Sequence, residues 1–271
     1  MLLTRVVTAV CLLLVILPIL FFAPPSTLAG LVTVFAALAA WEWGRLLRLP
    51  GWWGAVLYAA VTVLLTIAWC DVPARGDVQS LLYADVATWV VAWVLLTGGV
   101  RALTSGRRVM FAILGWVILP AFVQAAITLR ASGIAYLLSV AVLVWTADIG
   151  AYFVGKAFGR RKLAPTISPG KSWEGAIGGC VAVVLIAAVA GTTHWFAPTW
   201  FSRQFDQHGP VVALALTIML VVASIGGDLF KSLLKRQVGV KDSSHLLPGH
   251  GGVLDRIDAL LPVLPLAALL N

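Results

Sequence analysis

The chain has 271 residues, of which 61% are hydrophobic and 11% are charged, and its formal net charge is +8. A soluble domain is roughly half apolar and a quarter charged, so this composition excludes an ordinary water-soluble protein. The positive charge would favour a nucleic-acid partner if it covered a soluble face. Here the basic residues lie in short connections between apolar segments, so we expect no nucleic-acid partner.

Nine apolar segments follow one another along the chain, and most are long enough to cross a bilayer as helices. They are 6–23, 28–44, 51–70, 81–98, 109–129, 133–154, 174–196, 209–229 and 257–270, of which the last is short. The sequence therefore predicts an all-α, polytopic transmembrane helical bundle of about nine spans. The first segment could instead be a cleaved secretory signal, but the later spans need a first crossing to set their orientation.

The distribution of Lys and Arg predicts how the spans are oriented. With a cytoplasmic N-terminus and alternating sides, Arg75, Arg130 and Arg203 fall outside, and the other 16 of the 19 basic residues fall inside. This imbalance agrees with the positive-inside rule and turns the C-terminus outward.

Two connections on the predicted cytoplasmic side are longer than the others, namely 155–173 and 230–256. Long ordered connections in a compact protein usually carry function, so we expect the chemistry there.

The second connection combines positive charge with glycines. Its basic residues suit a polyanion, because arginine binds phosphate in a bidentate manner and lysine acts as a point charge. They are Lys231, Lys235, Arg236, Lys241 and Arg256. Gly249, Gly251 and Gly252 would let backbone amides approach phosphate oxygens, although an ordinary surface turn could have the same composition. This pattern indicates a phosphorylated ligand.

Three aspartates border the same connection. Asp228 ends an apolar run, whereas Asp255 and Asp258 begin the last span and, being three residues apart, share one helical face. A phosphate site that also contains acids needs a cation between them, and hydrated Mg²⁺ would serve. The alternative is a simple intramembrane ion pair between Arg256 and Asp228 or Asp258.

The stretch from Ser232 to Asp258 contains Ser-x-x-Lys-Arg, Lys-Asp and Pro-x-His-Gly-Gly-x-x-Asp-Arg-x-Asp. It resembles the signature of the phosphatidate cytidylyltransferase (CDP-diacylglycerol synthase) family. Asp-x-x-Ala-Tyr from Asp148 and Ser-Pro-x-Lys-Ser-x-Glu-Gly from Ser168 resemble two further segments of that family. One position departs from the pattern, because Lys231 stands where relatives commonly carry glutamate.

The resemblance implies that the protein transfers a cytidylyl group from CTP to phosphatidate in phospholipid biosynthesis, giving CDP-diacylglycerol and pyrophosphate. It also implies a homodimer in a bacterial-type inner membrane, in contact with the lipid bilayer. The distribution of basic residues predicts that the active site lies on the cytoplasmic face. We divide the chain into an N-terminal transmembrane region of about five spans, 1–130, and a C-terminal catalytic region, 131–271.

The resemblance also supplies the candidate site. Asp228 and Asp255 match the metal-binding aspartates of the family, which implies that they hold Mg²⁺, and a second metal ion is left open. The candidate catalytic residues are Asp228, Asp255, Lys235 and Arg256. The candidate substrate contacts are Ser168, Lys171, Ser172, Arg236, Lys241, Asp242, His250, Gly251, Gly252 and Asp258. His250 could instead only bind backbone, and Glu174 could be only a helix cap.

Two other functions would account for some of these residues. A transporter could bind a coupling ion with Asp148 and Asp228, but it would place ionisable residues near midspan, whereas these lie at one face beside basic loops. A CTP-dependent polyprenol or lipid kinase would share the magnesium and nucleotide but would lack the family signature.

Overall fold

The computed structural model describes residues 2–70, 75–194 and 196–271, and the described part is almost entirely helical. The elements are α1 (Leu2–Phe22), α2 (Pro25–Leu46), α3 (Gly51–Cys70), α4 (Arg75–Thr97), α5 (Ser105–Ser132), α6 (Ile134–Phe158), β1 (Lys162–Ala164), β2 (Ser168–Ser172), α7 (Trp173–Thr193), α8 (Trp200–Gln237), α9 (Leu254–Ile257) and α10 (Leu260–Leu269). The predicted all-α fold is confirmed, with one short antiparallel hairpin, β1–β2, as an addition.

Seven of the described helices are long and apolar enough to span a membrane, and Val6–Phe22 and Leu260–Leu269 are shorter apolar helices. Each of the nine predicted segments overlaps one of these helices. The count of nine crossings and the orientation of the termini stay predictions. The side chains of Arg5 and Arg75, which entered the charge count, lie outside the described part of the chain.

The connections predicted to be cytoplasmic meet at one end of the bundle. The Arg48 guanidinium, after α2, donates to the Val238 carbonyl beyond α8, and Arg236 donates to the Ile167 carbonyl in the hairpin. Near the start of α1, the Thr8 hydroxyl donates to the Pro248 carbonyl. At the other end, the Asn271 amide donates to the Ser132 hydroxyl beside the α5–α6 connection. The final segment therefore runs from one end of the bundle to the other.

Helix α5 lies at the centre and packs against α2, α3, α4, α6 and α10. Its Phe111 joins Trp43 of α2, Trp89 of α4 and Phe230 of α8 in one buried aromatic cluster. Gly115 lets α5 approach the rings of α2 and α3, because a Cβ there would lie 2.2 Å from the Tyr58 hydroxyl oxygen. The core contains residues from both predicted regions, and the division at residue 130 stays a prediction.

Small residues hold α6 and α7 together. A Cβ at Gly179 would lie 2.4 Å from the Ala147 carbonyl oxygen, and a Cβ at Gly175 would lie 2.7 Å from that of Ala151. Such close backbone contact is how transmembrane helices commonly associate, since lipid gives apolar side chains little reason to cluster. It brings the polar ends of α6 and α7 beside each other.

The long connections are shorter than predicted. Helix α8 continues to Gln237, because Phe230, Leu233 and Leu234 recur at helical spacing and are buried in the bundle. Residues 155–158 likewise complete α6, and β1–β2 occupies much of the remainder. The predicted start of the eighth span, residue 209, coincides with a break inside α8 at Gly209, where φ is 74° and Pro210 follows. A helical stretch from Trp200, which was not predicted, precedes this break.

Candidate functional site

Asp228, Asp255 and Asp258 come together around the ammonium group of Lys231. Lys231 Nζ lies 3.3 Å from Asp228 Oδ1, 3.5 Å from Asp255 Oδ1 and in direct contact with Asp258 Oδ2. Gly227 permits this approach, since a Cβ there would lie 2.3 Å from the Asp258 carbonyl oxygen. The predicted juxtaposition of the three acids is present, but a lysine lies between them.

The Asp255 carboxylate is the most heavily bonded of the three. Its Oδ1 accepts from Lys235 Nζ at 2.8 Å, and its Oδ2 accepts from the backbone N–H groups of Ser243 at 2.9 Å and Gly252 at 3.1 Å. Burial raises the pKa of Asp255, but these hydrogen bonds and the charges of Lys235 and Lys231 outweigh it and hold the pKa below its usual value. Asp255 therefore stays ionised and fixes both ends of the 243–252 loop.

Asp228 faces a cavity between α6, α7 and α8. Its Oδ2 lies 2.5 Å from Lys171 Nζ, which reaches it from β2. The cavity has a volume of about 410 Å³, and Asp148 and Tyr152 of α6 line it together with Lys171, Ser172 and Asp228. The rest of the lining is mainly apolar and includes Ala147, Ala151, Leu163, Ala176, Val221 and Ile225. This is a pocket with a charged end and an apolar wall.

The residues of the hairpin have separate roles. Ser172 is buried and caps α7, because its hydroxyl oxygen accepts from the Gly175 N–H at 3.2 Å. Glu174 accepts from the backbone N–H groups of Arg160 and Arg161, so it binds the connection between α6 and the hairpin. Ser168 lies outside the cavity lining.

Arg256 binds a backbone carbonyl of the loop that precedes it and pairs with no carboxylate of the described residues. Its Nε and Nη2 atoms donate to the His250 carbonyl at 3.0 and 2.5 Å, so the alternative of an ion pair between Arg256 and Asp228 or Asp258 is wrong. The carboxylates pair with lysines instead, because Lys171, Lys231 and Lys235 approach from β2 and α8.

The glycine turn is organised around protein groups. The Gly252 N–H donates to Asp255, so this amide is not free for a phosphate in this conformation. Gly251 has a φ of 83°, which favours glycine, and its carbonyl accepts from the Leu247 N–H. The His250 N–H donates to the Leu247 carbonyl, while its ring Nδ1 is buried without a partner among the described residues. Lys241 and Asp242 are exposed at the entrance to this loop.

Sequence reasoning missed Glu42 of α2. Its side chain is fully buried, and its carboxylate accepts from the backbone N–H groups of Val253 at 2.9 Å and Leu254 at 2.7 Å. It also accepts from the hydroxyls of Ser243 at 2.9 Å and Ser244 at 2.5 Å. The signal in the sequence is a single acid inside an apolar span. Glu42 therefore connects α2 to the 243–252 loop and to the start of α9, where Asp255 lies.

The carboxylates near Lys231 are candidate ligands of Mg²⁺. Among residues 2–70, 75–194 and 196–271, no group of three or more His, Cys, Asp or Glu side chains is arranged to hold a metal alone. Mg²⁺ is usually bound by one or two carboxylates completed by water and substrate phosphates. Asp228 and Asp255 could supply such carboxylates once the Lys231 ammonium group, which lies 3.3 and 3.5 Å from their oxygens, moves aside. The residues fit a magnesium ion that arrives with a phosphorylated ligand.

The sequence is similar to those of known enzymes. The model of the Cytidylyltransferase family matches residues 3–271. A phosphatidate cytidylyltransferase of Pseudomonas aeruginosa is 40% identical over 278 residues, covering 100% of this chain and 97% of that protein. The phosphatidate cytidylyltransferase of Haemophilus influenzae is 35% identical over 98% of this chain and 96% of its own length. That of Bacillus subtilis is 43% identical over 134 residues, 49% of this chain.

Proposed function

The chain belongs to the cytidylyltransferase family, and we propose that it is a phosphatidate cytidylyltransferase, which converts CTP and phosphatidate into CDP-diacylglycerol and pyrophosphate. The similarity covers the full length of two relatives with this name, so it includes the bundle as well as the signature in residues 232–258. A transporter or a polyprenol kinase would not account for that similarity.

The observation that carries the proposal is the cavity beside Asp228. Its charged end contains Lys171 and the Ser172 hydroxyl, which suit phosphate groups, and its wall is apolar, which suits the glycerol and first acyl carbons of a lipid. A lipid phosphate can thus meet a nucleotide while its acyl chains stay in the bilayer.

In this reaction a phosphate oxygen of phosphatidate attacks the α-phosphorus of CTP. The bond from that phosphorus to the bridging oxygen breaks, and pyrophosphate leaves with the electron pair. The nucleophile is already ionised, so the protein mainly has to bring two anions together and hold them in line. Two unit charges 4 Å apart repel by about 4 kcal/mol at an effective dielectric of 20. Cationic side chains at the pocket must offset this repulsion.

Lys171 and Lys235 are suited to that task because, among the described residues, each is held by a single carboxylate. Lys171 pairs with Asp228 and Lys235 with Asp255, and both have flexible side chains that can exchange a carboxylate for a phosphate. Asp228 and Asp255 would then hold Mg²⁺, provided that the Lys231 ammonium group also shifts from between them toward Asp258. When bound, the ion would neutralise phosphate charge and orient the nucleotide.

The membrane setting is part of the same proposal. The hairpin, the connection that follows α8 and the α2–α3 connection share one end of the bundle. The distribution of Lys and Arg predicts that this end faces the cytoplasm. CTP is available there, which supports an active site on the cytoplasmic face of a bacterial inner membrane. The homodimer that the resemblance implies stays a prediction.

The experiment uses the full chain in detergent or nanodiscs with labelled CTP, phosphatidate and Mg²⁺. We expect release of pyrophosphate and formation of a cytidylated lipid, and the Asp228→Asn variant should lose at least a hundredfold in rate. Asp206→Asn is the matched control, since it makes the same change on the same helix at an exposed position near His194. A wild-type rate equal to background would refute the proposal. Phosphorylation of a polyprenol or diacylglycerol instead would favour the kinase.

A further inference from the structure

Lys156 lines the cavity beside Asp228 but takes no part in the ion pairs there. The cavity lining includes the two lysines Lys156 and Lys171. Lys171 Nζ already lies 2.5 Å from Asp228 Oδ2, whereas Lys156 pairs with no carboxylate in the part of the chain that the structure describes. Its ammonium group lies over the Tyr152 ring, 5.9 Å from the ring centroid. Lys156 can therefore bind an anion without first leaving a carboxylate.

Helix α6 carries Lys156 on the wall of this cavity. Asp148, Tyr152 and Lys156 recur at intervals of four residues and all line the cavity, so they share one face of the helix. Lys156 lies in the last turn of α6, where the helix dipole stabilises a cation. Asp148 comes two helical turns earlier, or about 12 Å away along the axis. An anion at Lys156 therefore stays clear of the Asp148 carboxylate.

The end of α6 that carries Lys156 is held against the start of α7. A Cβ at Gly155 would lie 3.2 Å from Ser172 Oγ and 3.5 Å from the Gly175 Cα atom. Ser172 and Gly175 both line the cavity, and they belong to the cap and first turn of α7. The N-terminal end of a helix carries partial positive charge. Lys156 and the start of α7 thus present positive charge to the same end of the cavity.

Exposed aromatic and apolar side chains border this end of the cavity. They are Tyr152 and Phe153 on α6 and Trp173 and Ile177 on α7. Aromatic side chains are enriched at membrane surfaces, so we expect this side of the cavity to face the headgroup region of the bilayer. Lys156 is exposed there as well, and a lysine can cover apolar surface with its stem while its ammonium group stays among headgroups.

We propose that Lys156 binds the phosphate of the lipid substrate, separately from the lysine that serves the nucleotide. The proposal rests on the proposed function for the identity of that lipid. Lys235 and Asp255 lie outside the cavity lining, so the phosphates of CTP can meet Lys235 while the lipid phosphate meets Lys156. Each anion then has its own cation before the two come together. Lys156 is thus a determinant of affinity for the lipid and not for the nucleotide.

The test compares the kinetics of Lys156→Met, Lys156→Arg and Lys162→Met in the full chain. Lys162 is the matched control, because it is exposed in the adjacent hairpin and does not line the cavity. Loss of one charge-assisted hydrogen bond should raise the KM for phosphatidate about tenfold in Lys156→Met. The KM for CTP should stay at the wild-type value. Lys156→Arg should recover most of the affinity for phosphatidate, and Lys162→Met should match the wild type.

Two kinetic results would overturn the proposal. One is an unchanged KM for phosphatidate in Lys156→Met. The other is an equal rise in the KM for CTP, because Lys156 would then serve both anions or act only through the fold.

Binding without turnover separates phosphate recognition from a folding defect. Dioctanoyl phosphatidate and CTP are each titrated into the purified protein and followed by calorimetry. We expect Lys156→Met to bind dioctanoyl phosphatidate about tenfold more weakly than the wild type and to bind CTP equally well. An equal loss of both affinities would count against a role in lipid recognition.

These outcomes distinguish this inference from the proposed function. An active wild type whose KM for phosphatidate is unchanged in Lys156→Met would overturn the inference alone. An inactive wild type that binds dioctanoyl phosphatidate through Lys156 would overturn the proposed function and leave the lipid-phosphate site in place.

Discussion

Removal of the Glu42 carboxylate should loosen the loop that holds Asp255. Glu42 is fully buried and accepts from the Val253 and Leu254 N–H groups and from the Ser243 and Ser244 hydroxyls. In Glu42→Ala, both backbone donors lose their acceptor inside the bundle. The two hydroxyls can rotate toward other acceptors, and Ser243 Oγ already lies 2.9 Å from Asp255 Oδ2. They should therefore contribute less than the backbone donors to the loss of stability.

The magnitude follows from these contacts. A buried donor left without a partner costs about 1–3 kcal/mol, so two backbone donors give a loss of about 2–6 kcal/mol in the free energy of opening this loop. Glu42→Gln keeps one carbonyl oxygen but turns an amide NH₂ toward donors, so it should lose roughly half as much. The effect should be largest in the loop, since the other packing contacts of α2 remain.

The assay combines limited proteolysis at the exposed Lys241 with the CDP-diacylglycerol reaction. We expect faster cleavage and a lower kcat in the order wild type, Glu42→Gln, Glu42→Ala, with little change in the KM for CTP, because Glu42 acts through Ser243 and Asp255. Asp206→Asn serves again as the control for loss of an acid. Unchanged cleavage in Glu42→Ala, or a change confined to KM, would refute this positioning role.

Two glycine substitutions test close approaches in the fold. Gly252→Ala would place a Cβ 2.0 Å from Ser243 Oγ, so it should lower the activity and speed proteolysis at Lys241. Gly106→Ala, with open space around the added Cβ, should change neither. Gly179→Ala would press against the Ala147 carbonyl and should separate α6 from α7, which a lowered unfolding midpoint would reveal. Wild-type behaviour of either variant would contradict the packing described above.

Much of the candidate site could be predicted because its geometry is local or lies between adjacent helices. Asp255 and Asp258 are three residues apart, and Asp228 ends the apolar stretch that precedes their loop, so helical periodicity and span order suffice to bring them together. The helical segments were predictable for a similar reason, since each must satisfy its backbone hydrogen bonds internally in lipid. The hairpin lacks such a signal because it is short and its residues are largely polar.

The sequence by itself determined the class of protein, the order of its helices and the set of charged residues near the site. Tertiary structure alone decided which partners they take. Lys231 rather than Arg256 lies between the acids, and Glu42 bonds to a loop about 200 residues later in the chain. These pairings depend on the direction of side chains on packed helices, and the physical reason is that a buried charge takes whichever partner the packing brings within reach.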